Sequence, residues 1–184
     1  MSRSPVSAQR GVSLIEVLVA MLVVSFGVLA LSGMLGAAAR FSKTSEFRAV
    51  GTLLASDIAD RMRANKPAVV KGGYELLNAY DPPETPPPNA KECVNKTECT
   101  VDELAAQDMA QWAQAIYYGL PGGQGYIAAD NSVNPPVAAD VWLAWLDPTA
   151  SKDEETAGNG ENECPPPFRG KDVQPRCLYF RVGL

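Results

Sequence analysis

The sequence predicts an α+β protein, in which one long amino-terminal helix packs on a small antiparallel sheet head that carries one extra helix. Three observations lead to this fold class. An apolar run continues into an amphipathic pattern as far as residue 65, a second helical pattern covers 100–120, and three short strand patterns complete the chain. The 184 residues are enough for one compact unit and hardly for two. We therefore divide the chain into segments 1–11, 12–39, 40–66 and 67–184.

The composition narrows the classes of function before any motif is considered. Apolar residues make up 46% of the chain and charged residues 20%, which excludes a disordered tail and a charge-rich coiled coil. The chain has no histidine, so it lacks the commonest general base, the commonest metal ligand and every nucleophile–histidine pair. Its formal net charge of −5 argues against nucleic acid as a partner.

The apolar run at residues 12–39 is long enough to cross a bilayer. It contains one charged residue, Glu16, whereas about 20 apolar residues in a helix suffice to span the hydrocarbon core. The preceding residues carry Arg3 and Arg10 and no acid, and the chain from residue 72 onward is strongly acidic. The positive-inside bias therefore places residues 1–11 in the cytoplasm and the acidic head on the exported side of the inner membrane.

Four cysteines lie in the exported part, where disulfides form and persist. They allow three connectivities. We favour Cys93 with Cys99 and Cys164 with Cys177, because each pair closes a short loop. A zinc site is the alternative, and the absence of histidine and of any Cys-x-x-Cys spacing argues against it.

Three interpretations compete for residues 1–39. A secretory signal peptide would be cleaved near Ala37-Ala38-Ala39, but the apolar run is longer than such peptides require. A plain membrane anchor fits the length and leaves Glu16 unexplained. The third interpretation accounts for both the length and the acid, and it depends on the six residues from Gly11 to Glu16.

The run Gly11-Val12-Ser13-Leu14-Ile15-Glu16 resembles the class III signal of type IV pilins and pseudopilins. In that family a short basic leader ends in glycine, and a glutamate follows five residues later inside an apolar helix. The resemblance implies that prepilin peptidase cuts after Gly11 and that Val12 becomes the N-methylated first residue. It also implies a pilin-like lollipop, in which the first half of the helix spans the membrane and the second half packs against a globular head.

Physical chemistry suggests a role for Glu16 in assembly. An ionisable group inside a membrane segment is costly and needs a partner. Cleavage would expose a positive amine on Val12 at nearly the same depth. If Glu16 of one subunit meets the Val12 amine of another, both charges leave the lipid together and the register between subunits is fixed.

The helical pattern continues beyond the apolar run to about Asn65. Between charged residues, apolar side chains recur on one face and predict an amphipathic helix. The members of this stripe are Phe41, Phe47, Val50, Leu54, Ile58 and Met62. We expect the helix to end at Lys66-Pro67, because a residue before proline leaves helical space.

The predicted head begins with loops at 67–99, which contain a proline-rich stretch and the sequon Asn95-Lys96-Thr97. Thr100 and Glu103 then form a capping box that starts the extra helix, and Pro121-Gly122-Gly123 ends it. Its core-facing stripe consists of Ala105, Met109, Trp112, Ile116 and Leu120. Of these, Trp112 and Ile116 are predicted core residues of the head.

Three strands are predicted after that helix, at Gly125–Ala129, Val137–Leu146 and Cys177–Val182. Trp142, on the central strand, is a further predicted core residue. The acidic stretch Asp147–Pro167 is expected to be a long exposed loop tethered by Cys164.

The block from Leu104 to Trp112, followed by Leu120-Pro121-Gly122-Gly123, resembles the PilV family of minor pilins, also called type IV pilus modification proteins. In that family a cysteine pair precedes a similar helix, and a strand with Val-x-Trp follows; Val141-Trp142 fits that strand approximately. The resemblance implies a non-catalytic minor pilin that joins the major pilin and other minor pilins in priming and at the tip of a type IV pilus.

Two alternatives to this function remain open. One is a minor pseudopilin of a type II secretion system, and the other is a membrane-anchored adhesin or binding module. An enzyme is disfavoured, since the candidate acids Asp108, Asp140 and Asp172 have no pairing at a sensible spacing and are expected to be solvated. No cofactor and no metal site is expected. A calcium site among Asp130, Asn131, Asp147 and the acids of 153–163 has oxygen ligands but no EF-hand spacing.

Overall fold

The computed structural model describes residues 11–88, 93, 98–147, 164–170 and 175–184. The chain divides into two compact units, Met1–Phe41 and Ser42–Leu184. Of the segments named above, residues 1–10, the sequon, Asp172 and most of the loop 147–167 lie outside the described residues.

The first helix, α1, spans Leu14–Ala64, close to the predicted bounds. It is followed directly by a short helix, α2, at Lys66–Val70, so the expectation that residues 67–99 are entirely loop was wrong at its start. The residue that leaves helical space is Asn65, with φ −123° and ψ 50°, one position earlier than expected. Pro67 instead lies in the first turn of α2, where a missing backbone N–H costs no hydrogen bond.

The extra helix, α3, spans Val101–Gly119 and begins with the predicted capping box. The Glu103 N–H donates to Oγ1 of Thr100 at 3.2 Å, and the Thr100 N–H donates to Oε2 of Glu103 at 3.1 Å. Two backbone donors of the first turn are thereby satisfied. After the helix, Gly122 adopts a φ of +58°, and a Cβ at this position would lie 2.8 Å from Leu146, so the turn requires glycine.

The three strands form one antiparallel sheet in the order β1-β2-β3. They span Gln124–Ala129, Ala138–Trp145 and Arg176–Gly183, each within one residue of its predicted ends. An isolated antiparallel bridge between Leu76 and Ile127 adjoins β1. The predicted α+β architecture, a long helix with a small antiparallel sheet and another helix, is confirmed.

One face of the sheet packs against α3 and the second half of α1. Ile58, Met62, Trp112 and Val141 are completely buried there, and Ile116 is 2% exposed. The predicted stripe of α1 therefore reaches the core, although Phe41, at its start, is 70% exposed. Burial of each large side chain of this kind contributes about 1.5–3 kcal/mol.

The opposite face of the sheet carries a smaller cluster around Phe168, which belongs to a 3-10 turn at Pro166–Phe168. Trp142 lies on this face, half-buried between Tyr126 of β1 and Tyr179 of β3. Trp142 is therefore outside the main core, and the prediction that it is a core residue of the head was wrong. The reason is strand alternation: Val141 and Leu143 fill the core side, so the side chain between them must point away.

Candidate functional site

The helix start is built by Ser13 and Glu16. Residues 11–13 precede α1, and the backbone N–H of Glu16 donates to the carbonyl of Ser13 at 3.0 Å. Ser13 therefore stands at the N-cap and Glu16 at the third helical position, which is the spacing of a capping box. A negative side chain in the first turn also interacts favourably with the helix dipole.

The helix segment beyond Glu16 exposes an apolar surface. Every residue from Gly11 to Phe41 is exposed, and no charged residue occurs between Val17 and Ala39. By length and composition, α1 is a candidate membrane span. Its polar side chains are satisfied within the helix: the Ser25 hydroxyl donates to the Met21 carbonyl at 2.7 Å, and the Ser32 hydroxyl to the Val28 carbonyl at 2.8 Å.

This arrangement leaves Glu16 as the only charged group on an apolar, laterally unpacked helix in residues 11–39. Exposed apolar surface of this extent in a soluble protein would mark an interaction or membrane site. The surface fits membrane anchoring followed by packing against other helices.

Residues 6–32 match the prokaryotic N-terminal methylation motif. This match supports a type IV pilin-like or pseudopilin protein, a class that is generally structural and non-catalytic. The methylation motif implies processing by prepilin peptidase and assembly with other pilins. It includes Gly11, Val12 and Glu16, the three residues singled out from the sequence. No curated protein and no solved structure matches the chain significantly.

The cysteines predicted as two pairs are joined in the structure as Cys93–Cys99 and Cys164–Cys177. The second pair is the more buried: Cys164 is 2% and Cys177 6% exposed, and both belong to the cluster around Phe168. This disulfide therefore ties the 3-10 turn to β3 on the outer face of the sheet.

A polar network that the sequence did not reveal connects α1 with α3. Arg61 donates to Oδ2 of Asp57 and to Oδ1 of Asp108, both at 2.9 Å. The Tyr74 hydroxyl donates to Oδ2 of Asp108 at 2.5 Å, and the Asn65 amide donates to the Val101 carbonyl at 2.7 Å. Asp108 is 8% exposed, so the expectation that it is solvated was wrong.

The electrostatics of this network are those of a structural site. Burial raises the pKa of the Tyr74 hydroxyl, and its hydrogen bond to Asp108 raises that pKa further. Burial by itself would lower the pKa of Arg61. The hydrogen bonds to Asp57 and Asp108 have a larger combined effect, so the pKa of Arg61 is raised above its ordinary value. A signal was present in the sequence: Asp108 lies between Ala105 and Trp112 on the apolar stripe of α3, where an acid requires a partner.

Of the other described candidate acids, Asp130 and Asp140 share Arg181 as a partner, and Asp147 lies at the opposite end of β2. Asp140 accepts hydrogen bonds from Tyr179 and Arg181 on the outer face of the sheet, and Asp130 pairs with Arg181. Hydrogen bonds from Ser132 and Arg181 lower the pKa of Asp130 to about 2. Asp147, at the other end of β2, pairs with Arg176 and accepts from Thr44.

The calcium site considered from the sequence is therefore not assembled by its described members, because Asp130 and Asp147 lie at opposite ends of β2 and each has a cationic partner. Its other acids, at 153–163, lie outside the described residues. Within the described ranges, no group of three or more metal-ligating side chains was found.

Proposed function

We propose that this protein is a minor pilin of the PilV type, a non-catalytic structural subunit that takes part in priming and assembly of a type IV pilus and in its tip complex. The observation that carries the proposal is Glu16. It is an acid in the first turn of an exposed apolar helix, inside a match to the methylation motif.

In this proposal, prepilin peptidase cleaves after Gly11 while residues 1–11 are in the cytoplasm and the head is in the periplasm. The new amine of Val12 is then methylated and keeps its positive charge. Within one helix this amine and Glu16 compensate each other in part. Between two staggered helices the pair removes both charges from lipid, so assembly is favoured over the isolated subunit.

Packing and this ion pair, rather than a hydrophobic gain, give the assembly its specificity. Lipid tails are as apolar as the helix surface, so burial of Leu or Val side chains against another helix gains little hydrophobic energy. Small residues promote close helix approach. Gly33 and Gly36 leave open space on the helix surface, with no atom within 4 Å of an added Cβ, which is consistent with such approach.

The test separates the two roles that Glu16 has at the helix start. Glutamine at position 16 keeps the residue type that a capping box with Ser13 requires but has no charge, whereas alanine removes both. We expect Glu16→Gln and Glu16→Ala alike to accumulate in the membrane fraction and to be missing from sheared pili, measured by immunoblotting. Glu46→Ala is the matched control, because Glu46 is an exposed acid of the same helix that pairs with Lys43 one turn away.

Normal incorporation of Glu16→Gln into pili would refute the charge-pairing role, and an intact leader on the mature chain would refute the pilin assignment. Mass spectrometry of the membrane-extracted protein should find methylated Val12 as the first residue. A chain that begins at Arg40 would indicate ordinary secretion, and one that begins at Met1 a plain anchor.

A minor pseudopilin of a type II secretion system is the second candidate, because the methylation motif is common to both classes. Deletion of the gene distinguishes them. Loss of twitching motility with normal protein secretion supports the pilus, and the opposite result supports the secretion system.

A further inference from the structure

The strand β3 forms one edge of the sheet, and its outward backbone groups can be identified from the register. Ala138 pairs with Gly183, and the Leu184 N–H donates to the Val137 carbonyl at 2.9 Å. Because hydrogen-bonded positions alternate along an antiparallel pair, the even-numbered residues of β3 bond to β2. The odd-numbered residues direct their N–H and C=O groups away from the sheet.

These outward groups are open at the centre of the strand. The Gly183 carbonyl accepts from Nε of Arg63 at 2.9 Å, so the end of the edge is occupied. In the part of the chain that the structure describes, the outward backbone groups of Cys177, Tyr179 and Arg181 have no backbone partner. An unpaired edge of this kind is a template for an additional strand.

A groove of about 450 Å³ borders this edge. Trp142 and Tyr179 contribute an aromatic side, and Pro165 and Pro166 lie along the groove as well. Arg48, from α1, and Arg169, after the 3-10 turn, also line the groove. The groove thus combines an apolar surface, open backbone groups and two guanidinium groups.

The charge of this groove is opposite to that of the head. Most of the arginines and lysines that the structure describes within Ser42–Leu184 form ion pairs with acidic side chains. Those without an ion pair among the described residues are Arg48, Lys66 and Arg169, and two of these three line the groove. Guanidinium groups bind carboxylates through two parallel hydrogen bonds, which makes them suited to an acidic ligand.

We propose that the β3 edge and this groove, together the β3 groove, bind an extended acidic segment of another protein chain. The segment adds to Tyr179 and its neighbours as a fourth strand, and its carboxylates pair with Arg48 and Arg169. The open backbone groups select an extended peptide, since β-strand addition supplies main-chain hydrogen bonds, and the two arginines select acidic side chains. This inference does not depend on the function proposed above.

The test uses the full-length chain in a neutral detergent and synthetic six-residue peptides with blocked ends. One peptide alternates valine and glutamate, the second alternates valine and lysine, and the third is the glutamate peptide with every backbone nitrogen methylated. We expect the glutamate peptide to bind with a dissociation constant below about 1 mM, measured by fluorescence anisotropy. The lysine and N-methylated peptides should bind at least about tenfold more weakly.

The double variant Arg48→Glu/Arg169→Glu should weaken binding of the glutamate peptide by at least about tenfold and strengthen binding of the lysine peptide. Lys66→Glu is the matched control: it makes the same charge reversal at an unpaired cation that does not line the groove, and it should leave both affinities unchanged. Both arginines are exposed, so the double variant is expected to fold, which its circular dichroism checks.

Three results would overturn the proposal. The first is no binding of the glutamate peptide up to about 1 mM. The second is equal binding of the N-methylated peptide, which would indicate an anion site that does not use the strand edge. The third concerns an acidic oligosaccharide. If this sugar displaces the peptide and binds the Tyr179→Pro variant as well as it binds the unchanged protein, the groove is a saccharide site.

Discussion

Arg61 in α1 and Asp108 in α3 form an ion pair, with Nη1 and Oδ1 separated by 2.9 Å. The residues are 47 positions apart in sequence, and Asp108 is nearly buried. The second oxygen of the same carboxylate accepts from the Tyr74 hydroxyl, so one acid connects both helices and the segment after α2. A polar link of this kind fixes the relative position of elements that apolar packing alone would hold less specifically.

Replacing Asp108 by asparagine should lower the free energy of unfolding by about 1–3 kcal/mol, because Arg61 and Tyr74 each lose a charged acceptor. The matched control is Asp102→Asn, which removes the charge of an exposed acid of α3 that pairs with the exposed Lys71 and should cost less than about 1 kcal/mol. Denaturant titration followed by tryptophan fluorescence measures both. Equal effects of the two substitutions would contradict the role assigned to Asp108.

Gly125→Ala should destabilise the head by about 1–3 kcal/mol, because a Cβ at Gly125 would lie 2.4 Å from the ring of Trp112. Gly183→Ala is the matched control, a strand glycine with no atom within 4 Å of an added Cβ. The thermal midpoints of the two variants provide the comparison. A Gly125→Ala protein as stable as its control would mean that the contact between α3 and β1 is not tightly packed.

The stability of the head should fall as pH rises above about 10. Burial raises the pKa of Tyr80 to about 12, whereas a tyrosine in the unfolded chain ionises near pH 10. Between those values the unfolded state has released its proton and the folded state has not, so the free energy of unfolding decreases with pH. Below about pH 10 the hydroxyl is neutral in both states and contributes no slope.

Tyr80→Phe should make this alkaline decline shallower, measured as the free energy of unfolding between pH 8 and pH 12. At neutral pH the same variant should be less stable by about 1 kcal/mol, since the Gly122 carbonyl loses the hydroxyl that donates to it at 2.8 Å. An unchanged slope above pH 10 would show that Tyr80 does not cause the effect.

Removal of the Cys164–Cys177 disulfide should cost about 2–4 kcal/mol and more than removal of Cys93–Cys99. The Cys164–Cys177 disulfide closes a longer loop, with a sequence separation of 13 residues against 6 for Cys93–Cys99, and its cysteines lie in a buried cluster. The double alanine variants at each pair are matched controls for one another. A greater loss from the Cys93/Cys99 variant would contradict the importance given to the cluster around Phe168.

Local signals predicted most of the secondary structure. The capping box at Thr100 and Glu103, the apolar stripe of α3 and the strand patterns each depend on residues a few positions apart. The same holds for the helix start at Glu16, where an acid, an apolar run and a preceding glycine are adjacent in sequence. Such features are readable because their physical causes act within one or two turns of chain.

The head interactions that were missed join residues far apart in the chain. The position of Asp108 on an apolar stripe indicated a partner, but nothing local identified Arg61 as that partner. Trp142 is a predicted core residue, yet in the described part of the chain α1 and α3 pack on the opposite face of the sheet. The sequence by itself determined the apolar first half of α1 with its single acid, the helix α3, the three strands and the class of protein that they indicate. Only the tertiary structure decided which face of the sheet packs on the helices, which ions pair and which strand edge has no backbone partner among the described residues. These features depend on distances between segments that local preferences do not encode.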